Sequence, residues 1–338
     1  MKKFLLNLHP SRSVWRLSVL ECIVLYWSTW RSTKYDRKLQ SLVASGWTQN
    51  DTAAVMACSM LRYAKYALAF ALPLFASADS SYQERCRPQP RPIFSGISYG
   101  CKLLERTEEG HGVLHWVRVD LTAPGMELYV TPLDTSAVKS GFQYRLRWIN
   151  DVLRDERLAV AINGSLFVSK PAWRPGLPGD LANGVETVVS NHVMSHFWEH
   201  TYLLWFDDEL NAQLLPTKPP KPEELRRAKW GIGGQGVGLR NGQVWLGIDR
   251  TPNSRTAIGI DSERKLLFLT VAEWASPRLV LEELAKLGAR DAMLLDGGSS
   301  SAMAVGEGSQ NLTRQALLGG WRPVATFFGV RARRLNLP

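Results

Sequence analysis

Residues 293–303 contain the side chains of this sequence that are best suited to chemistry. An apolar, strand-like run ends there in Asp296, and two glycines and three serines follow. Consecutive N–H groups in a glycine turn can form a concave anion site, and serine hydroxyls can donate to the same anion. A plain Asx turn is the alternative. The stretch therefore predicts an anion site with Asp296 at its edge, built from Gly297, Gly298, Ser299, Ser300 and Ser301.

Alternating and helical patterns of apolar residues predict the elements that position this turn. A hairpin is predicted over residues 115–131 around Ala123-Pro124-Gly125, and a second one at Asn241-Gly242. Helices are predicted over 142–157 and from Pro277 to Gly288, the latter with proline first and glycine last. Many hairpins with few helices indicate an α+β fold, with a mixed, largely antiparallel β-sheet core in one domain.

The front of the chain differs from the rest in charge and in pattern. The 338 residues carry a net charge of +10, most of it within the first 78 residues, so the remainder predicts no nucleic-acid partner. Residues 60–78 have the layout of a secretory signal peptide, with an apolar core too short for a stable membrane span in the mature chain. We expect 1–59 to be an upstream over-extension, with a membrane anchor or a small extra domain as alternatives. Residues 79–95 are predicted to be a linker.

Two cysteines, Cys86 and Cys101, follow the predicted signal peptide. In an oxidising compartment such a pair can form a disulfide across a short loop. The sequence has no Cys-x-x-Cys spacing, so structural zinc is not expected. A periplasmic or secreted protein is the prediction.

Several short motifs follow one another in the order found in one enzyme family. From about residue 96 to 333 the chain resembles the phosphodiester glycosidase family, typified by N-acetylglucosamine-1-phosphodiester α-N-acetylglucosaminidase. The resemblance implies a catalytic domain over 96–336 that cleaves a sugar-1-phosphodiester and leaves the phosphate on its acceptor. The chain departs from the family at Ser299, which replaces a third glycine, and at Ala272-Glu273-Trp274, which replaces Asp-Gly-Arg. The motifs that carry the resemblance are His115–Asp120, Pro124–Leu128, Ala161–Phe167, Asn241-Gly242, Arg255–Asp261, Leu295–Gly298 and Arg322–Ala325.

A phosphodiester keeps a negative charge, so its site needs a cation and fixed hydrogen-bond donors. Arg255 can offer a planar guanidinium to phosphate oxygens, although a surface ion pair with Asp261 is the alternative. Thr256 can add a hydroxyl, but strand alternation places it on the opposite face from Arg255 unless the strand bends. Asn163 ends an apolar strand and suits orientation of the substrate, while a turn or an N-glycosylation sequon is the alternative. Asp296 is the predicted acid/base residue.

The partner of Asp296 is not identified by the sequence. Glycosidases commonly use two carboxylates. One carboxylate can suffice when the leaving group is a phosphate and the anion is strongly stabilised. Glu273, Asp180 and Glu186 are the remaining candidates, each of which also fits a structural or solvated position.

Three histidines, His192, His196 and His200, are spaced four residues apart. On a helix they would share a face and suggest a metal. A predicted turn at Asn191-His192 and a predicted strand from Thr201 argue against that helix, so no metal and no cofactor are expected. His196 and His200 are instead predicted to face the substrate.

The residues and the resemblance together predict a periplasmic or secreted hydrolase that cleaves a sugar-1-phosphodiester in a surface glycan or exopolysaccharide. The expected partner is a phosphorylated glycan. The alternative is a non-catalytic phosphoglycan- or polysaccharide-binding protein on the same fold. A third hypothesis takes Ser300 or Ser301 as a nucleophile, but the sequence contains no Gly-x-Ser-x-Gly elbow.

Overall fold

Antiparallel strands dominate the computed structural model. It describes residues 86, 89–171, 176–215, 217–245, 247–306, 315–318 (backbone only) and 322–335. The strands are β1 Arg91–Phe94, β2 Ile97–Thr107, β3 Gly110–Asp120, β4 Glu127–Val130, β5 Tyr144–Arg145, β6 Val160–Asn163, β7 Phe167–Ser169, β8 Leu181–Gly184, β9 Val188–Ser190, β10 Val193–Met194, β11 Tyr202–Phe206, β12 Ala212–Leu214, β13 Trp230–Gly234, β14 Val237–Arg240, β15 Gln243–Val244, β16 Asn253–Ile260, β17 Leu266–Ala275, β18 Asp291–Leu294, β19 Met303–Val305, β20 Gln315–Leu318 and β21 Phe327–Arg331. The helices are α1 Thr135–Val138, α2 Ile149–Asp155 and α3 Pro277–Lys286, with 3-10 turns at Glu224–Arg227 and Gly298–Ser300.

These strands form four sheets. The largest has the order β1-β2-β3-β17-β16-β18-β14-β15, and two five-stranded sheets have the orders β20-β19-β6-β21-β4 and β10-β9-β13-β11-β12. A three-stranded sheet has the order β5-β8-β7. Every strand pair in the described ranges is antiparallel, so the sheets are more uniform than the mixed sheet that the sequence predicted.

The main core lies between the three larger sheets. Ile258 of β16, Ile162 of β6 and Ile232 of β13 come from different sheets and belong to the same buried cluster. Alternation along β16 turns Ala257 to the opposite face, where it packs with Leu284 of α3. Burial of each such aliphatic side chain stabilises the fold by about 2 kcal/mol. The two faces of β16 therefore have different surroundings, and side chains at the start of this strand lie in one or the other.

Local turn and cap signals are confirmed by the structure. Asn241 and Gly242 have φ values of 52° and 76° in the turn between β14 and β15. Only residues that tolerate the left-handed region suit this hairpin turn. In α3, the Ser276 hydroxyl accepts a hydrogen bond from the N–H of Leu279, Pro277 opens the helix, and Gly288 beyond its end has a φ of 107°.

The predicted hairpin over residues 115–131 is wrong. Its two strands exist, but β3 pairs with β2 and β17, while β4 pairs with β21 in another sheet. Alternation shows that a segment is a strand and does not show its partner. The predicted helix over 142–157 is also too long, because Tyr144–Arg145 form β5 and α2 begins at Ile149.

The beginning of the folded part lies earlier than expected. β1 starts at Arg91 and pairs with β2, so the linker prediction for 79–95 is wrong for residues 91–94. A disulfide joins Cys86 to Cys101, as the sequence predicted. The predicted extension (1–59) and signal peptide (60–78) lie outside the described residues. Within the described ranges, no helix is long and apolar enough to cross a membrane.

Candidate active site

The side-chain amide of Asn163 holds the 296–302 turn in place. Asn163 ends β6 and is fully buried. Its Oδ1 accepts hydrogen bonds from the Thr256 hydroxyl at 2.6 Å and from the N–H of Ala302 at 2.9 Å. Its Nδ2 donates to the carbonyl of Asp296 at 2.7 Å. One amide thus ties both ends of the turn to β6 and β16, and its burial excludes glycosylation of the folded chain.

The turn itself takes its shape from two glycines. Gly298 has a φ of 62°, and a Cβ on Gly297 would lie 3.3 Å from the carbonyl of Ser254. Gly298, not Ser299, takes the left-handed conformation, which explains why serine is tolerated where the family has a third glycine. The N–H groups of Ser300 and Ser301 donate to the carbonyls of Gly297 and Gly298. Those two N–H groups are therefore engaged within the turn and do not contribute to the predicted anion site.

Asp296 lies at the mouth of this turn, and its side chain is largely buried. Burial raises the pKa of the Asp296 carboxyl, while a hydrogen bond from Ser300, the charge of Arg322 and the N–H of Gly297 oppose that rise. The carboxylate therefore has fixed donors on one side and a nearby cation. Three residues that the sequence assigned to the anion site, Asp296, Gly297 and Ser300, are in contact in the structure.

The cation that acts on Asp296 is Arg322. Its Nη1 lies 3.5 Å from the Ser299 hydroxyl, and its guanidinium stacks over the Phe167 ring at 4.9 Å. Its Nε is buried and has no hydrogen-bond partner among the described residues. Arg322 lies in one of the motifs that resemble the family, but no role was predicted for it from the sequence. A lone arginine in a loop carries no local signal of the site that it reaches.

Arg255 lies beside the same turn, on the other face of β16 from Thr256. Its Nη2 donates to the carbonyl of Thr251 at 2.8 Å, and the carboxylate of Asp249 is 3.7 Å away. A Cβ on Gly297 would lie 3.6 Å from Arg255 Nη1, so the guanidinium adjoins the turn. Burial lowers the pKa of Arg255, and Asp249 opposes that shift. As strand alternation predicted, the side chains of Arg255 and Thr256 lie on opposite faces of β16.

A second carboxylate, Glu186, lies near Asp296. It sits between β8 and β9 and is 3% exposed. Burial raises the pKa of Glu186 to about 7, N–H groups of Glu186 and Leu166 oppose this, and the charge of Asp296 adds to it. Glu186 Oε2 is buried without a hydrogen-bond partner among the described residues. Of the three carboxylates that the sequence left open, Glu186 is the one whose pKa is raised by the charge of Asp296.

The other two candidates have different surroundings. Asp180 accepts a hydrogen bond from the N–H of Leu177 at 2.6 Å within a loop. Glu273 lies next to Gly112, where an added Cβ would be 3.2 Å from its Oε2.

The three histidines do not converge. His192 is exposed and lies 3.3 Å from Asp208, and His200 is exposed beside Glu199. His196 is partly buried, with Nε2 3.1 Å from the carbonyl of Val185 and Nδ1 3.1 Å from Gln143 Nε2. No group of three or more metal-binding side chains occurs in the part of the chain that the structure describes.

Fold and site together define an antiparallel β-sheet protein with two coupled carboxylates and an arginine around a glycine-serine turn. Residues 156–331, a little over half of the chain, match the phosphodiester glycosidase family. The chain belongs to this family. The members of this family are glycosidases that act on phosphodiester-linked sugars.

One solved structure supports the fold, and two others align with lower scores. The zebrafish N-acetylglucosamine-1-phosphodiester alpha-N-acetylglucosaminidase catalytic domain, auto-inhibited by its pro-peptide, aligns at 14% identity with a TM-score of 0.51, covering 72% of this chain and 85% of that one. A hypothetical protein from Synechocystis aligns at 16% identity and a TM-score of 0.49, covering 70% of this chain, which spans 62% of that protein's length. A putative exported protein from Burkholderia pseudomallei aligns at 12% identity and 0.45, covering 66% and 74%. A comparison with curated proteins gives no match.

Proposed function

We propose that this chain is a periplasmic or secreted hydrolase that cleaves a sugar-1-phosphodiester in a surface glycan or exopolysaccharide. Asp296 acts as the acid/base residue, and Asn163 places the turn that carries it. Arg322 and the 297–301 turn hold the phosphate, with Arg255 at the outer side of the turn. Family membership supports the reaction class, and the contacts of these side chains support their roles.

Polar atoms without partners in the turn region carry this proposal. Ser301 Oγ and Arg322 Nε are buried and have no hydrogen-bond partner in the described ranges. A buried polar group left unpaired costs about 1–3 kcal/mol. Two such donors beside one carboxylate are expected of a site whose ligand supplies the missing acceptors. A phosphodiester offers oxygens to both, and a guanidinium matches their geometry.

Export of the protein has separate support. Structural disulfides persist in oxidising compartments, and Cys86 and Cys101 form one. The signal-peptide pattern of residues 60–78 agrees with this. A glycan substrate is consistent with Trp198, which is 41% exposed and offers an aromatic face to a sugar ring.

The test uses the purified full chain and a panel of synthetic sugar-1-phosphate methyl diesters of both anomers. Wild type should release reducing sugar and methyl phosphate in equal amounts. Asp296→Asn should lower kcat about a thousandfold, within the range for loss of an acid/base residue, and leave the unfolding midpoint close to that of wild type.

Asp291→Asn is the matched control, because Asp291 is also a buried aspartate and lies on the preceding strand. Its carboxylate accepts a hydrogen bond from the N–H of Asn241, which an amide oxygen can also accept. It should keep full activity. Wild-type binding of phosphorylated polysaccharide without sugar release would instead favour the non-catalytic alternative.

A further inference from the structure

We propose that Glu186 is the second catalytic carboxylate, which donates a proton to the phosphate oxygen leaving the sugar, and that His196 is its positioning residue. The inference rests on the function proposed above and assigns a partner to Asp296.

The surroundings of Glu186 fit a carboxyl group that binds a ligand. Its side chain is almost fully buried, yet Oε2 has no hydrogen-bond partner among the described residues. The glutamates of structural ion pairs in this chain are different. Glu283, for example, is 6% exposed and binds Lys102 and Lys286 at 2.8 Å each. A buried carboxyl oxygen without a partner is a cost that a phosphate oxygen removes if the carboxyl is protonated.

The two carboxyl groups share a cause of raised pKa and differ in what surrounds them. Burial raises the pKa of Asp296, but a hydrogen bond from Ser300, the charge of Arg322 and the N–H of Gly297 oppose that rise. Burial raises the pKa of Glu186 to about 7, and the charge of Asp296 adds to the rise. The carboxyl with the donors and the cation beside it suits the base, and the one without a cation suits the acid. Among the titratable side chains that the structure describes, only Asp296 raises the pKa of Glu186 through its charge.

Room for Glu186 depends on a glycine of β13. A Cβ on Gly233 would lie 2.6 Å from the Cβ of Glu186 and 2.7 Å from Thr201 Cγ2. The carbonyl of Gly233 also accepts a hydrogen bond from the Ser165 hydroxyl at 2.8 Å. The glycine-rich β13 therefore lets Glu186 pack against the segment that follows Asn163.

Hydrogen bonds fix the backbone immediately before Glu186. Gln143 Oε1 accepts from the N–H of Gly184 at 2.7 Å. Because the carbonyl of Val185 can only accept, His196 Nε2 is the donor in their 3.1 Å contact. His196 Nδ1 then accepts from Gln143 Nε2 at 3.1 Å. Gln143 and His196 thus hold residues 184 and 185 together, and through them the direction of Glu186.

The reaction balances with these two groups. The bond between the anomeric carbon and the phosphate oxygen breaks, and that oxygen takes the proton of Glu186. Water adds its oxygen to the anomeric carbon, and Asp296 takes the proton that the water loses. The products are the free sugar and a phosphate monoester, and the proton on Asp296 returns to Glu186 through solvent.

The first experiment measures kcat against pH for Glu186→Gln on the diester panel. Wild-type kcat should fall above about pH 7, where Glu186 loses its proton. Glu186→Gln should lower kcat about a hundredfold and abolish this alkaline limb, with KM changed less than threefold because the amide still donates to phosphate. Glu186→Asp, which keeps a carboxyl group, should lose less and retain the limb.

Glu283→Gln is the control for removal of a buried glutamate outside the site. Its ion pairs lie at α3 and β2, so kcat and the alkaline limb should remain as in wild type. If wild type cleaves a diester and Glu186→Gln keeps both kcat and the limb, the role of Glu186 is refuted and the proposed function stands. If wild type cleaves none of the diesters, the proposed function itself fails.

The second experiment tests His196 in two backgrounds. If His196 acts through Glu186, His196→Ala should lower kcat about tenfold in wild type and cause no further loss in Glu186→Gln. Residues that act as a unit give such non-additive losses. Equal losses in both backgrounds would show a role independent of Glu186 and overturn the positioning assignment.

Discussion

Arg322 is the arginine whose charge acts on Asp296, while the charge of Arg255 is met by Asp249. From the sequence, Arg255 was the favoured cation because its guanidinium can bind phosphate oxygens and because it lies in a motif that resembles the family. Strand alternation turns Arg255 to the face that packs on α3, away from Asn163 and Thr256. A side chain that approaches from a distant loop cannot be found by the same means. Arg322 therefore belongs to the site only once the fold is known.

Substitution of these two arginines separates their roles. Arg322→Gln removes a charge that lowers the pKa of Asp296, so that pKa should rise. Because Asp296 acts in its ionised form, the acidic limb of kcat/KM should move to higher pH, and KM should rise about tenfold from the lost phosphate contact.

Arg255→Gln is the comparison, measured as kcat/KM between pH 4 and 8. It should weaken substrate binding without moving the acidic limb, because Arg255 does not contribute to the pKa of Asp296. A limb that moves in Arg255→Gln and stays in place in Arg322→Gln would reverse the assignment.

At the scale of elements, Asn163 joins β6, β16 and the 296–302 turn through three hydrogen bonds. The predicted role of Asn163 is to orient the substrate. Its Oδ1 accepts two hydrogen bonds and its Nδ2 donates one to the carbonyl of Asp296, and these contacts support placement of the turn. A strand end next to a glycine indicates a special position, and only the three-dimensional contacts distinguish binding of substrate from support of a neighbouring loop.

Asn163→Ala should destabilise the protein by about 3 kcal/mol. The change leaves the N–H of Ala302 and the carbonyl of Asp296 buried without partners, each at a cost of about 1–3 kcal/mol. Urea unfolding at pH 7 measures the difference, and kcat should fall as the turn loosens. Asn150→Ala, at an exposed position of α2, should stay within about 0.5 kcal/mol of wild type.

Local signals predicted elements well and pairings poorly. Asn241-Gly242 and Pro277 to Gly288 were predicted correctly because turn and cap chemistry depends on a few adjacent residues. β3 and β4 were wrongly joined because the choice of partner depends on distant segments. β6, for example, pairs with β19 and β21, which lie more than a hundred residues further along the chain. The coupling of Glu186 to Asp296 was hidden for the same reason.

For the whole molecule, two buried groups link stability to pH in opposite directions. His115 of β3 is 4% exposed; its Nδ1 contacts the Tyr99 hydroxyl at 2.8 Å, and its Nε2 has no hydrogen-bond partner in the described ranges. Burial lowers the pKa of His115 to about 4, so the stability it contributes is lost as pH falls from about 6.5 to 4. Glu186, with its pKa raised to about 7, contributes stability that is lost as pH rises from about 4.5 to 7.

The two contributions nearly cancel in wild type between pH 4 and 7, since each amounts to about 3 kcal/mol at 1.36 kcal/mol per pKa unit.

Single substitutions should reveal each contribution to the unfolding free energy separately. The unfolding free energy of His115→Gln should fall by about 3 kcal/mol relative to wild type as pH rises from 4 to 7, because the linkage of Glu186 is then unopposed. That of Glu186→Gln should rise by a similar amount, which makes the enzyme more stable at neutral pH as it loses activity. Urea unfolding at pH 4, 5.5 and 7 measures both slopes, and other carboxylates cancel in the differences. A Glu186→Gln slope equal to that of wild type would mean that the buried carboxyl is charged at little cost, and would remove the basis for its role as a proton donor.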